Sequence, residues 1–208
     1  MSAQDRPNPS PWGSLKDRAS IQKRKREAVL ETAVRHFNAR GFVATSMDDV
    51  AAELNVTKPT IYHYFKNKDE VLFACVRRGL EALSEAAVEA SGERGPGLWR
   101  LAQVMRRYGM IMTQDFGRII TRTGDFELSD ESRATFRALK REIDLTMRAL
   151  VQEGIDDGSI KGTDARMITF TITGALNWIG RWYDPDGAMP ARDVVDGVVA
   201  TLLAGLEA

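Results

Sequence analysis

The sequence predicts an all-α fold, on three observations. From Ile21 to the C-terminus, apolar residues recur at three- and four-residue spacing. No stretch alternates as a half-buried strand would. The breaks between periodic stretches carry helix caps and helix stops. The 208 residues suffice for one or two domains, and 43% apolar with 28% charged residues is an ordinary globular composition. No run approaches the ~18 consecutive apolar residues of a membrane helix, so no membrane partner is expected. No apolar stretch follows the N-terminal charges as in a secretory signal. The single cysteine, Cys75, allows no internal disulfide and suits a reducing, cytoplasmic setting. It falls on an apolar helical face and reads as a core residue.

Residues 1–20 hold three of the seven prolines and read as a disordered arm, with Trp12 isolated in it. A first helix is expected from about Ile21 to Arg40, with Val29, Ala33, Val34 and Phe37 inward and Gly41 as its stop. The run Lys23-Arg24-Lys25-Arg26 opens it. Cations at a helix N-terminus oppose the macrodipole, which favours contact with phosphate over a merely solvated turn. Ser46-x-x-Asp49 resembles a capping box and starts a second helix with Met47, Val50, Ala51 and Leu54 on one stripe. Asn55 tolerates the left-handed conformation of a sharp exit. Thr57 caps a short third helix, with Pro59 in its first turn and Ile61 and Phe65 as anchors. Further helices are expected near 69–91, 96–113, 115–123, 129–154, 164–183 and 191–206. Asp184-Pro185-Asp186-Gly187 is the turn before the last.

The second and third helices are too short to stand alone and need the first as a platform. That three-helix unit exposes Lys58, Thr60, Tyr62, His63 and Tyr64 on one face. Hydroxyls, aromatic edges and a lysine suit base edges, thymine methyls and phosphates. Thr45 and Ser46 at the second helix, and Lys68 at the fourth, can meet flanking phosphates. The charge distribution agrees despite zero net charge. Residues 1–70 carry 12 Lys/Arg against 9 Asp/Glu, the remainder 17 against 20, and residues 1–26 carry 7 against 2. The unit therefore reads as a helix-turn-helix DNA-binding domain over residues 21–68, followed by a helical ligand-binding and dimerisation domain over 69–208.

The stretch Gly41-Phe-Val-Ala-Thr-Ser-Met-Asp-Asp-Val-Ala-Ala-Glu-Leu-Asn-Val-Thr-Lys-Pro-Thr-Ile-Tyr-His-Tyr-Phe-Lys-Asn-Lys-Asp-Glu-Val-Leu72 resembles the N-terminal domain of TetR-type transcriptional regulators. The likeness is dense from Ala28 to Val76, with Asn55 where the family usually has glycine. Carried over, the family's DNA contacts fall on Thr45, Ser46, Thr57, Lys58, Thr60, Tyr62, His63, Tyr64 and Lys68.

One such helix touches few base pairs, so a homodimer on a palindromic operator is expected. The last helix supports this, with Val194, Val195, Val198, Val199, Leu202, Leu203 and Leu206 in a wide stripe beside Gly197, Ala200, Ala204 and Gly205. The preceding helix is apolar on more than one side, and the resemblance implies dimerisation through these last two helices. The body is rich in methionine and aromatic residues, which read either as plain core or as an adaptable small-molecule pocket. The ligand candidates are Met105, Tyr108, Met112, Phe116, Ile120 and Phe126, with Met147, Phe170, Asn177 and Trp178 from later helices. Arg122 and Arg181 are candidates to hold an anionic group, and Arg106, Arg107 and Arg118 are further cations of the same stretch. The ending Asn177-Trp-Ile-Gly-Arg-Trp-Tyr-Asp-Pro-Asp-Gly187 resembles a branch of the family whose members respond to acyl-CoA thioesters. What the resemblance then implies is a ligand-released repressor; an effector-independent DNA-binding protein is the alternative. Both histidines, His36 and His63, lie in the DNA-binding third, so no histidine-liganded metal is expected in the body, and no cofactor. One cysteine, no metal-spaced cluster and no glycine-rich phosphate loop argue against an enzyme.

Overall fold

The computed structural model describes residues 15–206, which form nine α-helices and a 3-10 turn at Asp125–Glu127. The helices are α1 (Leu15–Ala44), α2 (Met47–Glu53), α3 (Lys58–Tyr62), α4 (Lys68–Ser91), α5 (Gly97–Thr113), α6 (Asp115–Arg122), α7 (Asp130–Asp156), α8 (Ala165–Trp182) and α9 (Ala191–Ala204). No strand appears among the described residues, so the all-α expectation holds.

The start of α1 differs from expectation. Residues 15–20, read as part of a disordered arm, are helical, while Trp12 and the rest of the arm lie outside the described residues. The run Lys23–Arg26 therefore sits more than two turns inside α1 and does not open it. The macrodipole acts only over the first turn, so its penalty does not bear on these four cations. The stop is where expected: Gly41, at φ 80°, interrupts the helix, and one further turn follows it.

Local chemistry fixes the short helices. Ser46 caps α2 by accepting from Asp48 N at 3.1 Å. Asp49 does not complete a capping box, because its carboxylate pairs with Arg40 of α1 at 2.8 Å. Asn55 takes the left-handed conformation, φ 53°. Thr57 occupies the N-cap of α3, but its hydroxyl bonds that of Thr60 at 2.9 Å. Asn67 caps α4 by accepting from Glu70 N at 2.8 Å.

Phe37, Val34, Val50, Ala51, Ile61 and Phe65 bury the inner faces of the first three helices. That core continues through Val71, Leu72, Cys75 and Val76 of α4 into the body as one cluster. Cys75 is fully buried, and burial pushes its thiol up, so it is an inert core side chain. In the body α5 is central, with Leu101, Val104, Met105, Tyr108 and Met112 buried. Its own N-cap, Pro96, offers no side-chain acceptor. Instead Asp157 accepts from Gly97 N at 2.7 Å and the Ser159 hydroxyl accepts from Leu98 N at 2.9 Å. Hydrogen bonds from Ser159 and Gly97 favour the charged carboxylate and hold Asp157 below its ordinary pKa.

Candidate DNA-reading surface and effector cleft

Helix α3 packs on the platform through buried Ile61, and buried Phe65 follows it. Thr57, Thr60 and His63 are exposed, and Lys58, Tyr62 and Tyr64 are half-buried, the two tyrosines packing partly against the core. The rings of His63 and Tyr64 meet edge-on at 5.3 Å. Lys58 is not a free cation: its ammonium lies 2.9 Å from Asp48 of α2. The pairing raises the Lys58 pKa and lowers that of Asp48. Lys68 donates to Val43 O at 3.3 Å and lies 4.5 Å over the Phe42 ring; partial burial lowers its pKa. Ser46 remains half-exposed at the start of α2. Thr45 is a correction. Its side chain is buried, and its hydroxyl donates to Gly41 O at 2.8 Å, so that hydroxyl is unavailable to a phosphate.

The body holds a cleft of about 720 Å³ between α4, α5, α6, α7 and α8. Leu80, Leu83, Ile120, Phe136 and Ile143 give it apolar walls. Tyr108 and Asn177 supply a polar pair, the phenol donating to Asn177 Oδ1 at 2.9 Å. Burial pushes the phenol's pKa up, so it stays a neutral donor. Lys140, Arg141, Arg148 and Arg181 line the same cleft against one carboxylate, Asp144. Asp144 pairs with Arg148 at 2.6 Å. The Arg148 and Arg166 guanidiniums lie 5.2 and 5.3 Å from the centre of the Phe170 ring.

Of the ligand candidates, Tyr108, Ile120, Phe170, Asn177, Trp178 and Arg181 line this cleft. Met105, Met112 and Met147 do not: all three are fully buried in the main core. Phe116 packs under the Arg78 guanidinium, 4.3 Å away, outside the cleft. Phe126 is 83% exposed beyond the end of α6. Arg122 is spent on backbone carbonyls, donating to Asn38 O at 2.7 Å, Gly180 O at 3.2 Å and Arg181 O at 3.3 Å. Arg106, Arg107 and Arg118 pair with Asp196, Glu93 and Asp115. Three of the four cations that line the cleft, Lys140, Arg141 and Arg148, come from α7, whose exposed-looking charges carried no sequence signal for a pocket. Among the described residues no group of three or more His, Cys, Asp or Glu side chains could hold a metal ion. No helix there is long and apolar enough to cross a membrane.

Residues 29–75 match the bacterial regulatory proteins of the tetR family, and residues 94–206 match a tetracyclin repressor-like C-terminal domain. The chain is 24% identical over 185 residues to the HTH-type transcriptional repressor KstR2 of Mycolicibacterium smegmatis, covering 88% of this chain and 90% of that protein. The crystal structure of the TetR family regulator PfmR from Thermus thermophilus superposes with TM-score 0.79 at 28% identity, covering 86% of this chain and 99% of PfmR. AibR, solved in complex with isovaleryl coenzyme A and operator DNA, superposes with TM-score 0.75 at 29% identity, over 86% of this chain and 97% of AibR. Both the helix-turn-helix and the body thus match one family, and the chain belongs to the TetR family of DNA-binding transcriptional regulators.

Proposed function

We propose that the chain is a homodimeric repressor of a palindromic operator, released by an anionic effector with an apolar part, of the acyl-CoA thioester class. The observation that carries the effector is the cleft: apolar walls, one neutral donor–acceptor pair, and four cations against one carboxylate. An apolar acyl group suits Leu80, Leu83, Ile120 and Phe136. The amide nitrogen of Asn177 suits a thioester carbonyl, and the cations suit phosphates. The likeness to AibR, solved with isovaleryl coenzyme A, supports the same class. Operator contact is assigned to Ser46, Thr57, Lys58, Thr60, Tyr62, His63, Tyr64 and Lys68, with Thr45 acting only as a buried brace.

The dimer is assigned to the outer faces of α8 and α9. The wide aliphatic stripe of α9 is largely used within the protomer, where Val194, Val195 and Val199 are buried. What remains outward on α8 is Met167, Phe170, Trp178 and Trp182, each at least 42% exposed. Beside them, a Cβ added at Gly174 or Gly197 would meet nothing within 4 Å. Mid-helix glycine costs roughly 0.5–1 kcal/mol against alanine. A helix from a second copy, approaching closely, gives both glycines a purpose.

The test uses the full chain and a duplex selected by it from a random-sequence pool. Acyl-CoAs of increasing chain length are titrated in, with free coenzyme A and free fatty acid as controls. At least one acyl-CoA is expected to weaken operator binding tenfold or more, while neither control does. No change with any of the series would remove the effector and leave a constitutive DNA-binding protein.

A further inference from the structure

We infer that the N-terminal overhang of α1 is a second DNA-binding element, one that grips phosphates flanking the operator half-site. The inference rests on α3 reading the duplex and adds a surface that the helix-turn-helix does not include.

Three observations carry it. First, residues 19–26 are all exposed, so these two turns of α1 project beyond the folded platform, which begins at Val29. Their helicity is continuous with the packed part of α1, which supplies the nucleus that an isolated segment of this length lacks. Second, the overhang is one-signed after Asp17. Between Arg18 and Arg26 there is no acidic residue, and Glu27, the next carboxylate, pairs with Arg78 of α4. No ion pair engages Lys23, Arg24 or Lys25 among the described residues. Third, the overhang leaves the body beside the end of the helix-turn-helix. The Arg26 guanidinium lies 4.6 Å over the ring of Phe65, which follows α3, and exposed Lys66 is the next residue; the crevice between Arg26 and Lys66 runs inward to Glu27, Asp69 and Glu70, while Lys23, Arg24 and Lys25 lie outside it. The cations thus continue from the end of the reading helix outward along α1.

A duplex is the partner this charge fits. Four consecutive cations fan round the helix at about 100° per residue, so at least one faces a duplex however the helix is rolled against it, and at most roll angles two do. From Arg26 to Ala19 the exposed part of the helix, in which every charge is positive, rises roughly 10 Å, which reaches about three base pairs beyond the contact at Phe65. In a symmetric dimer both flanks are gripped. Such contacts carry no sequence information; they lengthen the footprint and steepen the salt dependence.

The experiment compares wild type with Lys23→Ala/Arg24→Ala/Lys25→Ala, which spares Arg26 and its ring contact. All three side chains are exposed and alanine favours helix, so the variant keeps its fold, checked by circular dichroism and sedimentation. The probe is a duplex selected from a random-sequence pool, made as the bare palindrome and with about ten flanking base pairs on each side. On the flanked duplex, the advantage of wild type over the variant is expected to shrink about tenfold between ~50 and ~200 mM salt, as two lost phosphate contacts require. On the bare palindrome the two proteins bind alike, and hydroxyl-radical protection of the flanks is lost in the variant. Equal affinity on both duplexes, or an equal loss on both, overturns the inference. Tyr62→Ala run in parallel separates the two readings: if it too leaves binding unchanged, α3 is not the reading helix and the premise has failed instead.

Discussion

Lys58 stands on the proposed reading helix with its ammonium 2.9 Å from Asp48, a carboxylate on the neighbouring helix. A carboxylate there is unfavourable for a surface that meets phosphates, and it has a use only if weak binding to random DNA is part of the design. Exposed pairs of this kind contribute little to stability. The pair therefore acts on affinity: Lys58 must leave Asp48 to reach a phosphate, and Asp48 then faces the duplex unpaired. Asp48→Asn frees the lysine and removes the negative charge. It is expected to raise affinity for any duplex several-fold and to steepen the slope of log K against log salt by about 0.9 for each protomer bound, one contact's worth. Lys58→Ala should flatten the slope by a similar amount, and in the double variant the gain from Asp48→Asn should largely vanish, since the two residues share one interaction. Fluorescence anisotropy across a salt series measures all three. A rise in affinity that persists in the double variant would mean that Asp48 acts only through its general field.

At the scale of elements, α6 is wedged between the two halves of the molecule. A Cβ on Gly117 would run into Ile111 of α5, and one on Gly79 into the backbone of Phe116, so α6 has no slack against its neighbours. Ile120 and Thr121 of α6 line the cleft. Asn38 of α1 donates to the Asp115 backbone carbonyl at 3.0 Å and to its carboxylate at 3.1 Å, at the start of α6. Arg122, at its end, ties the Asn38 carbonyl to those of Gly180 and Arg181 in α8. One guanidinium thus joins the DNA-binding platform, α6 and the helix that carries Arg181 into the cleft. Arg122→Ala should cost about 1–3 kcal/mol in denaturant unfolding, since it strands carbonyl acceptors. More tellingly, it should reduce the effector's influence on operator affinity while leaving effector affinity for the DNA-free protein nearly intact. An unchanged coupling ratio would sink this role. The helices themselves are readable in the sequence because caps, stops and the 3.6 period are local: Ser46, Asn55 and Gly41 each announce a boundary from neighbouring residues alone. The start of α1 is not, because residues 15–20 carry no apolar period to read. The cleft is half-readable for a related reason. Met105 and Met112 share a helical spacing with Tyr108, and only the packing of five helices decides which faces core and which faces space. Lys140 and Arg141 look like a solvated face until α8 is set opposite them.

At the scale of the whole molecule, the proposed dimer face and the cleft share residues. Phe170, Gly174 and Trp178 line the cleft, yet they also belong to the exposed side of α8 that a second copy would cover. Anything that fills the cleft therefore bears on the helix that sets how the two protomers meet, and the spacing of two reading helices follows from that meeting. This requires that a second copy does approach α8 and α9 closely, which Gly197 can test. A side chain there has open space in the protomer, so Gly197→Arg should leave the fold of one chain intact and should even favour the helix. Against an approaching helix, the same arginine would force the backbones apart or bury an unpaired charge. The variant is expected to sediment as a monomer at micromolar concentration with unchanged helical content. Its affinity for a full palindrome should fall by ~100-fold or more as the two half-sites cease to be bound together. Its weak affinity for a single half-site should be unaffected. Gly197→Ala, with one methyl to accommodate, should weaken the dimer less than arginine does. A Gly197→Arg chain that still sediments as a dimer would move the interface off α9, and the open glycines of these two helices would need another explanation.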